Sequence, residues 1–184
     1  MPPFVIYALP RSRTAWLSKF LTYGDWTCKH DMTVELHNIP AFQRFFGQPY
    51  IGTVETGMVE GWRLVEALVP DIRVVVIRRR LQDVKDSLAK FGLSADEDLA
   101  RRDKLLDEVE ADGALSITYD ELDTMEGCKK IFEYCLNIPF DHKWWLGLQG
   151  ANIQIDMDAR IKRLTMNRAG IENLKREVGA LCSN

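Results

Sequence analysis

Short apolar runs alternate with longer stretches of helical periodicity along most of this chain. Phe4–Ala8 is apolar throughout, Pro10-Arg11-Ser12-Arg13-Thr14 is a compact polar turn, and Leu17, Phe20 and Leu21 follow at helical spacing. The pattern predicts strand, loop and helix, with Ser12 or Thr14 as the cap and Gly24 closing the helix. A second short strand is expected over 26–29, with His30 and Asp31 just beyond it, and 33–36 either continues it or forms an edge. Ile39–Phe46 reads as a short helix with Phe42, Phe45 and Phe46 on it, and a third strand over 50–54 ends at Glu55-Thr56-Gly57. Met58–Leu68 carries a helical apolar face. Ile72–Ile77 is Val/Ile-rich without alternation, as a central parallel strand covered on both faces should be.

Arg78-Arg79-Arg80 ends that strand abruptly. Helices are then expected over 82–91 and, capped by Ser94, through Leu99, Leu106 and Val109. A short strand over 114–118 precedes Tyr119 and a helix over 125–136. The stretch 139–150, with Trp144-Trp145, reads as irregular, and an apolar stripe from Ile161 to Leu181 predicts an amphipathic helical tail at about 156–182. Strands alternating with helices predict a single three-layer α/β domain with a mainly parallel sheet. In such sheets ligands collect beyond the C-terminal ends of the strands. The loops at 11–14, His30, Glu55, 78–80 and Tyr119 all fall at predicted strand ends and are expected to share one rim.

Composition changes this picture little. The 184 residues, 46% hydrophobic and 28% charged, fit one globular domain, and a formal charge of -3 gives no bulk attraction to nucleic acid. No apolar run approaches the roughly 20 residues of a membrane span, and the start lacks the pattern of a secretory signal. Cys28, Cys128, Cys135 and Cys182 are irregularly spaced and show no zinc-like arrangement. Reduced thiols, a cytoplasmic setting and no metal site are the expectation.

The chemistry concentrates in two arginine-bearing turns. The turn after the first strand has neither the glycines nor the lysine of a Walker A loop, which argues against a magnesium-dependent nucleoside triphosphatase. A loop opening a helix can still hold a phosphate or sulfate through backbone N–H groups and the helix dipole. Arg11 can neutralise charge on a bridging or leaving oxygen, Arg13 adds a second cation, and Ser12 and Thr14 can donate to phosphate oxygens. Arg78–Arg80 forms the second site, with Ser87 one turn into the next helix and Asp83 and Asp86 as competing partners. Two separated cationic sites call for a ligand with two separated anionic groups. A dinucleotide fits poorly without a G-x-G-x-x-G turn, and a nucleotide phosphorylated at both 5′ and 3′ positions fits better.

Three stretches resemble the sulfotransferases that use 3′-phosphoadenosine 5′-phosphosulfate (PAPS), a P-loop-like α/β family. They are FVIYALPRSRTAWL from Phe4, VVVIRRRLQDVKDSL from Val74, in which Arg79, Asp83 and Ser87 keep the family's spacing, and ITYDEL from Ile117. The resemblance implies a P-loop NTPase-like sandwich with PAPS as cofactor. It places Arg11 where the family's catalytic Lys or Arg contacts the phosphosulfate, Ser12 and Thr14 at the 5′-phosphate, and Arg79 and Ser87 at the 3′-phosphate. The chain departs from the pattern at Arg13, which takes the usual glycine position, at Leu81, which replaces a common proline, and in lacking an evident late Arg-Lys-Gly clamp.

Sulfuryl transfer needs in-line positioning and cationic stabilisation, together with a base for the acceptor's proton. His30, His37 and Glu55 are the candidates, and for either histidine a structural hydrogen-bonding role is the alternative. The expected activity is transfer of a sulfuryl group from PAPS to a hydroxyl or amine of a small acceptor. Another P-loop-like phosphotransferase, or a non-catalytic nucleotide-binding or assembly module, stays open. Trp16 and Trp62 read as core, while Trp144-Trp145 could cover a ligand pocket. The tail could pack on its own core or join two copies of the chain.

Overall fold

A computed structural model describes residues 1–36, 38–93, 97–151 and 153. Five parallel strands form one sheet: β1 (Phe4–Ala8), β2 (Thr27–His30), β3 (Ile51–Glu55), β4 (Arg73–Arg78) and β5 (Leu115–Thr118), in the order β2-β3-β1-β4-β5. The helices are α1 (Thr14–Phe20), α2 (Ile39–Phe46), α3 (Trp62–Leu68), α4 (Leu81–Ala89), α5 (Glu97–Ala111), α6 (Met125–Leu136) and α7 (His142–Leu148). The three-layer α/β arrangement expected from the alternating pattern is present.

The central strand explains why the layers form. All five residues of β1 are buried, so successive side chains feed two cores. Phe4, Ile6 and Ala8 join Val75, Ile77 and Ile117 beneath α1, α6 and α7. Val5 and Tyr7 join Val74 and Val76 beneath α2, α3, α4 and α5. The chain leaves β1 toward one face of the sheet and leaves β3 and β4 toward the other. A crevice therefore opens past the C-terminal end of β1, as at the switch point of other open α/β sheets.

Local differences from the sequence reading have identifiable causes. Residues 32–35 form a 3-10 turn rather than strand, directly after a left-handed Asp31. Met58–Gly61 is likewise a 3-10 turn leading into α3. The stretch 139–150, read as irregular, contains α7, because Asp141 caps it by accepting from the backbone N–H groups of Lys143 and Trp144. The same carboxylate accepts from the Tyr23 hydroxyl at 2.8 Å, and these bonds hold it below its ordinary pKa. Helix α1 starts without a side-chain cap: its N-cap position is Arg13 in a left-handed conformation, not Ser12 or Thr14. The proposed Ser94 cap, Cys182 and the tail at 156–182 lie outside the described residues.

Trp16 and Trp62 are buried, as expected of core, and so are Cys28, Cys128 and Cys135. No helix among the described residues is long and apolar enough to cross a membrane. Phe4 and Gly52 are cross-strand partners in the sheet. A Cβ on Gly52 would sit 2.2 Å from the Phe4 ring, which is itself wholly buried. Gly52→Ala should therefore destabilise by about 1–3 kcal/mol through overpacking, seen as a lowered denaturant midpoint. An unchanged midpoint would mean that the Phe4 ring does not lie over this glycine.

Candidate nucleotide site

The anion loop is shaped by its backbone before its side chains. Arg11 and Arg13 both have positive φ, 65° and 58°, and Ser12 between them does not. Alternating backbone hands of this kind turn successive N–H groups toward one concavity. Each left-handed non-glycine residue costs roughly 1–2 kcal/mol, so other contacts must hold the loop in place.

Arg13 supplies part of that hold. Its Nη1 donates to the Leu122 carbonyl at 3.2 Å and pairs with Asp123, while its guanidinium lies 4.7 Å over the Trp16 ring. Arg13 thus ties the loop to the turn beyond β5. Trp16 is fixed in turn by an Nε1 bond to the Leu148 carbonyl of α7.

The three consecutive arginines divide. Arg78 turns away from the rim and pairs with Asp103, Asp107 and Glu110 of α5. Burial nevertheless keeps the Asp103 carboxyl above its ordinary pKa, with Arg78 acting in the opposite direction. Arg80 is exposed and paired with Asp83, while Asp86 accepts from Gln82. Arg79 alone of the three lines the crevice. It donates to the Arg11 carbonyl and lies 4.2 Å over the Tyr119 ring. Strand register accounts for this: Ala8 pairs with Ile77, and Tyr119 N–H binds the Arg78 carbonyl, so the loops after β1, β4 and β5 leave at one level.

The resulting cavity has a volume of about 560 Å³. Arg11, Arg13, Thr14, Arg79 and Ser87 line it together with Thr56 and Tyr119, and Phe91, Leu93 and Ile153 supply apolar wall. Arg11 spans the cavity: its Nε donates to Ser87 Oγ at 3.2 Å and its guanidinium stacks 4.3 Å from the Phe91 ring. Ser12 is wholly buried and does not line the cavity; among the described residues its Oγ and the buried Arg79 Nε have no hydrogen-bond partner. Leaving such a group unmatched costs about 1–3 kcal/mol, and an anion in the cavity could recover it at Arg79. Donors, guanidinium groups and an aromatic wall together fit a phosphorylated nucleotide.

The two base candidates among the described residues, His30 and Glu55, do not line this cavity. His37 lies outside the described residues. Glu55 is buried, accepts from Thr53 Oγ1 at 2.5 Å, and does not line the cavity. It helps burial raise the pKa of Tyr7, its cross-strand neighbour, well above the ordinary value. His30 ends β2 and reaches the cavity only through Thr14, whose Oγ1 is 2.8 Å from His30 Nε2. Trp144 and Trp145 do not line the cavity: Trp144 donates to the Phe20 carbonyl, and Trp145 is buried. Tyr119, Thr56 and Phe91 were not among the residues singled out for the site. Only the strand-end position of the first two marks them in the sequence.

The fold and site can be set beside solved structures. The mouse sulfotransferase SULT7A1 complexed with PAP is similar to this chain with a TM-score of 0.59 and 18% identity, over 80% of this chain and 63% of that one. A sulfotransferase from Alicyclobacillus acidocaldarius is similar with a TM-score of 0.50 and 13% identity, over 96% of this chain and 95% of its own. No family model and no curated protein matches the sequence. The likeness establishes the fold alone: the α/β fold that these two sulfotransferases have. The aligned region spans less than two thirds of the mouse chain.

The left-handed Arg13 gives a direct test of the loop. Arg13→Gly removes backbone strain as it removes the Asp123 contact, whereas Arg13→Ala removes the contact and keeps the strain. The glycine variant should be the more stable by about 1 kcal/mol in denaturant unfolding. The opposite order would contradict the backbone conformation at this position.

Proposed function

We propose that this chain binds adenosine 3′,5′-bisphosphate nucleotides and transfers the sulfuryl group of PAPS to a hydroxyl or amine of a small acceptor. The observation that carries the reading is the convergence of Arg11 and Arg79 on one cavity beside Thr14 and Ser87. In this reading Ser12, Thr14 and the loop backbone hold the 5′ group. Arg79 and Ser87 hold the 3′-phosphate. Arg11 neutralises charge developing on the bridging oxygen. PAPS supplies the activated sulfuryl group, and the protein supplies orientation and cations. Phe91 and Leu93, both exposed at the cavity wall, offer apolar surface to the base or the acceptor.

A second reading, a nucleotide-binding module without transfer, draws on where the base candidates sit. Glu55 is enclosed beneath the site and His30 stands behind Thr14. Assembly through the tail at 156–182 belongs to the same reading and concerns residues outside those described. Retained nucleotide binding with no transfer to a broad panel of hydroxyl and amine acceptors would favour it.

Calorimetric titration tests the binding step. Adenosine 3′,5′-bisphosphate (PAP) should bind without Mg²⁺. Arg79→Ala should weaken it by about 2–3 kcal/mol, the range for a charge-assisted phosphate contact, and Arg79→Lys by less. Equal or tighter binding of ATP with Mg²⁺ would contradict the proposal.

A further inference from the structure

Behind the anion loop runs a chain of polar groups that joins two walls of the cavity. Thr14 Oγ1 lies 2.8 Å from His30 Nε2. His30 Nδ1 lies 3.1 Å from Asp31 Oδ2, an ion-pair distance without hydrogen-bond alignment. Asp31 Oδ1 accepts from Thr56 N at 2.8 Å and from Thr56 Oγ1 at 2.9 Å. Thr14 and Thr56 both line the cavity, whereas His30 and Asp31 do not. Asp31 is buried and left-handed, with φ 48°.

The chain fixes which atom of Thr14 faces a ligand. With its proton on Nδ1, the nitrogen beside the Asp31 carboxylate, a neutral His30 would accept at Nε2. The single hydroxyl proton of Thr14 then points at His30, and toward the cavity Thr14 offers only lone pairs. That is the wrong polarity for a phosphate oxygen. A second proton on His30, taken from solvent, reverses the bond. Nε2–H then donates to Thr14, and the Thr14 hydroxyl proton is freed for the ligand.

We infer that His30 is a proton-loaded positioning residue: nucleotide binding draws a proton onto it, turning Thr14 from an acceptor into a phosphate donor. The inference rests on the nucleotide-binding reading above and gives His30 a role that works through Thr14. The groups around it agree. Asp31 supplies the counter-charge on its own turn. The α1 side brings the Thr14 hydroxyl and, in the preceding loop, Arg11 and Arg13, the latter matched by Asp123. Strand β3 places Val54 beside His30 and directs Glu55 to the opposite sheet face, where Thr53 bonds it. On β2, Lys29 alternates away from His30, and Cys28, which shares its face, is a buried thiol pushed well above its ordinary pKa.

Sign follows from linkage. The bound state holds the extra proton more tightly, so affinity rises as pH falls through the histidine range. The ligand phosphate's own titration is common to every variant and cancels in a ratio. Relative to His30→Gln, the wild-type affinity for PAP should rise about tenfold from pH 8 to pH 6. Asp31→Asn gives the second arm. Asparagine tolerates the left-handed backbone, and its oxygen must stay on the Thr56 N–H, so its amide faces His30 Nδ1. That forces the Nε2–H tautomer, frees the Thr14 proton without protonation, and should tighten PAP binding at pH 8 while flattening the pH profile. Nitrogen-15 NMR of the imidazoles reads the tautomer directly. It should report Nδ1–H in the free protein, imidazolium with PAP bound, and Nε2–H in Asp31→Asn. A His30→Gln variant with the wild-type pH slope, or a His30 that stays neutral with PAP bound, would overturn the inference and leave nucleotide binding standing. Failure of PAP to bind at any pH would instead remove the reading beneath it.

Discussion

The contact from the Arg79 guanidinium to the backbone carbonyl of Arg11 is the constraint on which the site depends. It spans neighbouring strands, β1 and β4, whose register brings their C-terminal ends level. A parallel sheet makes this possible because every strand delivers its following loop to the same edge. The chain turns to opposite faces after β1 and after β4, so the loops diverge and leave a crevice that their side chains must close. Arg79 closes it from one side. The Tyr119 ring, on the loop after β5, supports the guanidinium from beneath.

Held in this way, the loop after β1 keeps a backbone that its residues disfavour. Glycine would adopt left-handed angles freely at position 13, but arginine does so at a cost. Arg13 offsets part of that cost through Asp123, the Leu122 carbonyl and Trp16, and in doing so carries the loop's geometry to β5 and α7. The charged residues around the cavity thus do different work. Arg13 is structural in its contacts, Arg79 is shared between loop and cavity, and Arg11 bridges to Ser87 across the space a ligand would enter. Among the described residues the buried donors Ser12 Oγ and Arg79 Nε have no hydrogen-bond partner, and of the two only Arg79 belongs to a residue that lines the cavity.

The strands were legible because burial on both faces leaves a strong mark: unbroken apolar runs at 4–8 and 74–77 bounded by charged or proline-containing segments. The rim was legible for the same reason, since strand ends locate loops. Side-chain direction was not. Nothing in Arg78-Arg79-Arg80 tells which arginine meets α5 and which meets the cavity, because that depends on alternation relative to a sheet face. Helix α7 was hidden because its start is set by one cap, Asp141, rather than by a long periodic stretch. The link from Thr14 through His30 to Asp31 and Thr56 joins three separate loops, and only the register of β2 against β3 brings it together.

The most direct measurement of the central claim, that two arginine-bearing loops grip two ends of one ligand, compares PAP with adenosine 5′-monophosphate and adenosine 3′-monophosphate by calorimetry. If both loops bind phosphate, each monophosphate should bind about 30-fold or more weaker than the bisphosphate, the loss expected for one charge-assisted phosphate contact. A monophosphate that binds as tightly as PAP would show that only one loop engages the nucleotide, and would contradict the account.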